Sequence, residues 1–138
     1  MKDGIYTVLV VVATALVNFL GGADSSLKAL AVLMLIDYLS GLVVAFVFKN
    51  SPKSSTGGLN STVGFKGIFK KFFMVAMVGV ANILDGVLGT NFVRTGVVFT
   101  LLSNETISII ENAGLMGVPV PKVVSDAIDI LKEKEYAK

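Results

Sequence analysis

The stretch 27–49, LKALAVLMLIDYLSGLVVAFVFK, decides the fold of this chain. Apart from its lysines it is almost wholly apolar, and it is long enough for a helix to cross the roughly 30 Å of hydrocarbon in a bilayer. Its one acid, Asp37, falls near the middle, where a carboxylate is costly unless it faces water or a partner. The small and polar residues of the stretch share one side of the helix, which we expect to meet protein or water: Asp37, Ser40, Gly41 and Ala45.

The composition of the whole chain indicates a small integral membrane protein. Its 138 residues are 54% hydrophobic, and the mean hydropathy of +0.79 is too high for a soluble domain. The chain has no Cys and no His, so it lacks thiol chemistry, the usual general base and the commonest metal ligand. No nucleotide, metal or nucleophile motif appears in it. We therefore expect no enzymatic activity, no cofactor and no nucleic-acid partner.

Four apolar segments are predicted to span the membrane, at residues 4–20, 29–48, 72–88 and 92–110. The first is short and follows Lys2, so a cleaved secretory signal is the alternative interpretation there. After a break rich in Gly and Pro, residues 119–138 are expected to form a charged cytoplasmic tail. The predicted fold is one all-α integral membrane domain over residues 1–138, with three to four transmembrane helices and a short amphipathic cytoplasmic C-terminal helix.

The connection 49–71 is rich in Ser, Gly and Lys and contains no acid. Its lysines make it the one strongly basic loop: Lys49, Lys53, Lys66, Lys70 and Lys71. By the positive-inside rule this loop is cytoplasmic, and so are the N-terminus and the C-terminus. Apolar residues between the lysines leave two interpretations of its second half open, a solvated loop and a segment lying along an anionic inner leaflet.

The last two predicted spans also carry polar side chains. Gly79, Asn82 and Asp85 gather in one sector of the third. The polar residues of the fourth fall on one face of a strongly amphipathic helix: Arg94, Asn104, Glu105, Ser108, Glu111 and Asn112. This segment is compatible with a span, with an interfacial helix outside the membrane and with a soluble helix packed on a partner. The span is favoured because it returns the Lys-rich tail to the cytoplasm.

Each predicted helix carries one polar or small stripe, formed in the first by Thr7, Thr14 and Asn18, and these stripes predict self-association. Three or four helices enclose little more than a packed bundle, so a large aqueous pathway requires many copies, and a homo-oligomer in the lipid bilayer is expected. Acids outnumber the single Arg94 within the spans, and some must therefore be protonated, wetted or paired between subunits. The candidate pore or helix-packing residues are Asp37, Ser40, Gly41, Gly79, Asn82, Asp85, Asn104, Glu105, Ser108 and Glu111.

The order of these pieces resembles the toxin-secretion and phage-lysis holins of Gram-positive bacteria and their phages. The resemblance covers nearly the whole chain and rests on IDYLSGLVVAF with Asp37, Tyr38 and Gly41, the GFKGIFKK segment with Lys66, Lys70 and Lys71, Asp85 in the third span, and SNETISIIENAGLMGVPVPK. The last of these, with Asn104, Glu105, Ser108 and Glu111, is the most specific. Each piece is common by itself, and their order and spacing carry the resemblance.

The resemblance implies a protein that gathers in the bacterial host's cytoplasmic membrane and opens lesions there at a set time. The cargo is then an endolysin, or in clostridial relatives a toxin. On this view the small faces around Gly41 and Gly79 let helices pack into rafts, and the acidic faces come to line a lumen. The alternatives are an antiholin or membrane adaptor that regulates lysis, and a small-pore ion channel, although no filter-like motif or paired discontinuous helix supports a channel.

Overall fold

The computed structural model describes residues 1–136, without the side chains at 131, 132 and 134–136. All regular structure in this part of the chain is helical, which confirms the predicted all-α class. The helices are α1 (Lys2–Phe19), α2 (Ser25–Phe46), α3 (Ser61–Leu88), α4 (Phe92–Leu115) and α5 (Lys122–Tyr136). In the described residues α1, α2 and α3 are long and apolar enough to cross a membrane, as expected of a small integral membrane protein. The predicted fourth span, 92–110, falls within α4 and stays a prediction.

The start of α3 differs from the sequence prediction, which kept residues up to Lys71 in a loop. The Asn60 side-chain oxygen accepts hydrogen bonds from the N–H groups of Thr62 at 2.9 Å and Val63 at 3.3 Å. This N-cap starts the helix at Ser61 because it satisfies backbone donors that otherwise have no partner. The second half of the predicted loop is therefore helical, and three of its lysines lie on α3: Lys66, Lys70 and Lys71.

The core lies between α2, α3 and α4. Its members are Leu30 and Met34 from α2, Val78 from α3, and Val98 and Leu101 from α4. Here α4 is the central helix, because it packs extensively on both α2 and α3, which touch each other little. The amphipathic helix of the sequence thus turns its polar face inward, with Glu105 and Asn112 buried.

Helix α1 stands at the edge of this three-helix core and has no buried residue. It meets α3 at its carboxyl end, where the Phe19 ring lies against Gly79. The Asn82 side-chain amide also donates a hydrogen bond of 3.2 Å to the Phe19 carbonyl oxygen. A Cβ at position 79 would collide with the Phe19 ring, so glycine permits this approach.

Contacts made by the connections define two ends of the bundle. At the turn end, which also holds the α3–α4 turn (89–91), the α1–α2 turn (20–24) meets the first turn of α4 through Asp24 and Arg94. At the loop end, the α2–α3 connection (47–60) meets the carboxyl end of α4, where Asn50 donates a hydrogen bond of 3.2 Å to the Leu115 carbonyl oxygen. Successive helices of the core therefore run antiparallel.

Candidate functional site

A buried ion-pair network, which we name the lysine cluster, joins α2, α3 and α4. The Lys71 ammonium lies 2.7 Å from Asp37 Oδ2 and 2.5 Å from Glu105 Oε2. These side chains are only 18%, 10% and 5% exposed respectively. One cation thus faces two acids, which gives the cluster a formal charge of −1 when all three groups are ionised.

Asn112 and Ser40 complete the lysine cluster. The Asn112 side-chain amide donates to Asp37 Oδ1 at 3.2 Å, to the Asp37 carbonyl oxygen at 3.3 Å and to Ser40 Oγ at 2.8 Å. Both carboxylate oxygens of Asp37 are therefore bonded, one to Lys71 and one to Asn112. Within the described residues no buried side-chain nitrogen or oxygen lacks a hydrogen-bond partner. Buried charges are tolerated only under these conditions, because desolvation must be offset by good geometry and further hydrogen bonds.

The lysine cluster lies deep along the bundle axis. Asp37 follows Asp24, at the turn end, by 13 residues, or about 20 Å at the helical rise of about 1.5 Å per residue. The hydrocarbon layer is about 30 Å thick. With the turn end at one interface, the ion pairs fall inside the apolar layer, where an unpaired charge is costly.

A polar crevice of about 430 Å³ between α3 and α4 reaches the lysine cluster. Its walls include Lys53, Lys70, Asn104, Ser108 and Glu111 beside the buried acids. A space of this size and polarity accommodates water. The cluster is consequently paired within the protein and also adjacent to a crevice with room for water.

At the turn end, a second network, which we name the arginine cluster, ties the α1–α2 turn to α4. The Arg94 guanidinium donates to Asp24 Oδ2 at 2.7 Å and to the carbonyl oxygens of Leu20 at 2.6 Å and Gly22 at 3.1 Å. The hydrogen bond from Arg94, together with one from the Leu27 N–H, holds the pKa of Asp24 well below its usual range.

Asp85 belongs to the arginine cluster and caps α4 from the last turn of α3. Its Oδ1 accepts hydrogen bonds from Thr90 Oγ1 at 2.6 Å and from the Val93 N–H at 3.0 Å. Its Oδ2 accepts one from the Arg94 N–H at 2.8 Å. The residue at the N-cap position itself, Asn91, makes no side-chain cap bond, so Asp85 takes over that role through space.

The remaining sequence-predicted residues lie around these two clusters. Gly41 lies beside Asn112, at a distance where a Cβ would make an ordinary contact. Gly79 and Asn82 contact the end of α1. Asn104 and Ser108 are half-buried, and Glu111 is exposed. Lys49 and Lys53 lie in the α2–α3 connection. We predicted that these residues line a pore or form contacts between copies of the chain, and this role stays a prediction.

Sequence reasoning missed the role of Lys71, which it placed in the basic loop. A signal for it exists in the sequence, because Lys71, Val78, Asn82 and Asp85 recur at helical spacing and continue one face of α3. The expectation that surplus acids need protonation, water or a neighbouring subunit overlooked this intramolecular cation. The acceptor role of Asp37 toward Asn112 also depends on the pairing of α2 with α4, which spacing within one helix does not reveal.

Comparison with known proteins gives concordant matches. The model of the bacteriophage holin family matches residues 5–133. An uncharacterised protein of Halalkalibacterium halodurans is 44% identical over 132 residues, which cover 90% of this chain and 91% of that protein. A probable holin of Bacillus phage phi105 is 30% identical over 121 residues, covering 87% and 84%. An uncharacterised 14.9 kDa protein in the nagH 3' region of Clostridium perfringens is 34% identical over 117 residues, covering 83% of each. No solved structure matches the chain.

Proposed function

This chain belongs to the bacteriophage holin family, and on that premise we propose that it oligomerises in the cytoplasmic membrane of a bacterial host and opens lesions there at a set time. The lesions release an endolysin or a toxin. The family and the three apolar helices support a multi-pass membrane protein. The proposal assigns no catalytic step to the chain.

The observation that carries the proposal is the polar interior of an otherwise apolar bundle. The lysine cluster is satisfied while α2, α3 and α4 are packed together. If these helices separate in an assembly, water can hydrate Asp37, Lys71 and Glu105, whereas an apolar core would gain nothing from contact with water. The outer faces remain apolar and suited to lipid, with Leu35, Phe72 and Phe99 among the exposed side chains.

The pairing of α4 with α2 supports a fourth span. Arg94 binds Asp24 at the turn end, Asn112 binds Asp37 and Ser40 further along, and Leu115 accepts from Asn50 at the loop end. A bilayer that covers α2 therefore also surrounds α4. This arrangement returns α5 to the side of the basic 47–60 connection, which we propose to be cytoplasmic together with the N-terminus.

The test is Asp37→Leu, expressed in bacteria at the level of the unmodified chain. This change removes acceptors of Lys71 and Asn112 and leaves an apolar side chain where hydration is required. We expect lysis to start at a different time or not at all. Asp126→Leu, in exposed α5, is the matched control and should lyse normally. Unaltered lysis timing in Asp37→Leu would contradict the proposal.

The size of the opening is tested in the same cultures by following potassium and a cytoplasmic reporter enzyme together. Prompt loss of both is the expected result and indicates lesions that pass folded protein. Potassium loss without enzyme release would indicate a small-pore channel instead. Loss of neither, with the chain present in the membrane, would identify an antiholin or adaptor.

A further inference from the structure

The amino-terminal half of α3 carries a ridge of alternating cations and aromatic rings on its outer side. We name this the Lys–Phe ridge: Lys66, Phe69, Lys70 and Phe73. Each member has neighbours three or four positions away, so the four side chains form one continuous surface. Phe69 is 63% and Phe73 65% exposed, and both lysines are exposed as well.

Packing on the opposite side of α3 fixes this ridge outward. Gly64 lies against the Tyr38 hydroxyl and Gly67 against the Tyr38 ring, and a Cβ at either position would be 3.7 Å from its neighbour. Lys71 points into the lysine cluster. The helix therefore cannot rotate to bury the ridge without breaking these contacts.

The ridge itself contains no acid, although Lys70 at its edge also borders the crevice that Glu105 and Glu111 line. No acid occurs on α3 before Asp85, and the ion pairs of the described chain involve neither Lys66 nor Lys70. These two lysines lie one turn apart, where like charges repel. An anion between them removes this repulsion.

The position of the ridge along α3 favours a lipid phosphate as this anion. Lys66 precedes Asp85 by 19 residues, or about 28 Å of helix, which is close to the hydrocarbon thickness of about 30 Å. With Asp85 at one interface, Lys66 reaches the other, where lipid phosphates lie. Lys70 is one turn deeper and can extend its ammonium along the helix to the same level.

We propose that the Lys–Phe ridge binds the headgroup of an anionic phospholipid in the leaflet at the loop end. The ammonium groups of Lys66 and Lys70 donate hydrogen bonds to the phosphate oxygens. Phe69 and Phe73 pack against the glycerol backbone and the first methylenes of the acyl chains. The bound lipid sets the height of α3, and hence of Lys71, in the bilayer. The binding itself is independent of lesion formation.

The test exploits the absence of Trp from the chain, which makes Phe69→Trp a single fluorescent reporter within the ridge. The full chain is reconstituted in phosphatidylcholine vesicles that contain equal fractions of brominated phosphatidylglycerol or brominated phosphatidylcholine. We expect the brominated phosphatidylglycerol to quench Trp emission more strongly. Adding Lys66→Gln and Lys70→Gln should remove the preference. Each substitution should lower the affinity for phosphatidylglycerol relative to phosphatidylcholine by about fivefold.

One control makes the same change in net charge at another place: Lys28→Gln with Lys122→Gln, both exposed and away from the ridge, should retain the preference. A second control keeps the charge of the ridge: Lys66→Arg with Lys70→Arg should also retain the preference. Circular dichroism verifies that each variant is helical. Equal quenching by the two lipids in the reporter chain would overturn the proposal, and so would an equal loss of preference in the Lys28 and Lys122 control.

Two further outcomes would assign the ridge another occupant. Abolition of the preference by inorganic phosphate at constant ionic strength would identify a site for the free anion. Weak quenching by both lipids, with the Trp emission still that of a buried indole, would place a second copy of the chain on the ridge. Either result overturns lipid binding and leaves the lysis proposal untouched.

Discussion

The lysine cluster and the arginine cluster each combine one cation with two acids, at two depths of one bundle. They differ in whether the bonding partners are side chains or backbone groups. In the lysine cluster Lys71 bonds only to side chains, one on each neighbouring helix. In the arginine cluster most bonds join a side chain to the backbone: Arg94 to two turn carbonyls, and Asp85 to two N–H groups of α4. Side-chain pairs between helices are lost when the helices part, whereas backbone groups of a turn need partners in every state.

This difference assigns the two clusters different tasks. The Arg94 guanidinium, with its fixed fork of donors, holds a turn geometry. The Lys71 ammonium on a flexible stem, next to a polar crevice, can exchange its carboxylates for water. We expect the lysine cluster to govern the timing of opening, and the arginine cluster to keep the turn end intact throughout.

Lys71→Met should produce the largest effect. It leaves Asp37 and Glu105 buried and facing each other without a cation, which costs about 3 to 5 kcal/mol of stability. We expect a lower unfolding midpoint in detergent, followed by circular dichroism, and an earlier start of lysis. Lys28→Met, at an exposed lysine near the start of α2, is the control and should retain the normal midpoint. An unchanged midpoint for Lys71→Met would show that the ion pairs do not stabilise the bundle.

Asp85→Ala should have a smaller effect, of about 1 to 2 kcal/mol, because it removes the cap of α4 and its hydrogen bonds. The unfolding midpoint should fall while the start of lysis moves less than in Lys71→Met. Asp85→Asn, which keeps one acceptor oxygen, should lie between Asp85→Ala and the unmodified chain. If Asp85→Ala shifts lysis as strongly as Lys71→Met without loss of stability, the division of tasks between the clusters is wrong.

The pH dependence carried by Asp24 should be the smallest effect. Its pKa is lowered in the folded chain, so its contribution to stability is present above the ordinary pKa of about 4 and is lost as pH falls below it. The Asp24 side chain is 48% exposed, so the pair with Arg94 is worth less than about 1 kcal/mol. Unfolding midpoints measured between neutral pH and pH 3 should fall slightly less in Asp24→Asn than in the unmodified chain. An identical pH profile would show that this ion pair adds nothing to the arginine cluster.

Sequence reasoning predicted the parts of this fold that depend on one segment at a time. The apolar length of residues 27–49 predicted a helix, and the structure has α2 at Ser25–Phe46. Helical spacing placed Asp37 on the inward side, where it is buried. These predictions need only the rise and the period of an α-helix.

The contacts of the site could not be predicted, because they depend on how the helices pair. The positive-inside rule counts lysines without distinguishing the one that turns inward, and Lys71 was therefore placed with the loop. Asp85 appeared to be another acid on a polar stripe, whereas it caps the next helix around a tight turn. The start of α3 depends on the local cap at Asn60, which the glycines and lysines that follow it obscured.

The peripheral position of α1 has consequences for the insertion of the protein into the membrane and for the divergence of its sequence. A helix with no buried residue requires only lipid around it, so α1 can enter the membrane as soon as it leaves the ribosome, before α2, α3 and α4 exist to pack on one another. For the same reason we expect its apolar side chains to tolerate exchange for other apolar residues along most of its length. Mutational constraint on this helix is expected to concentrate at its last turn, where Phe19 meets Gly79 and Asn82.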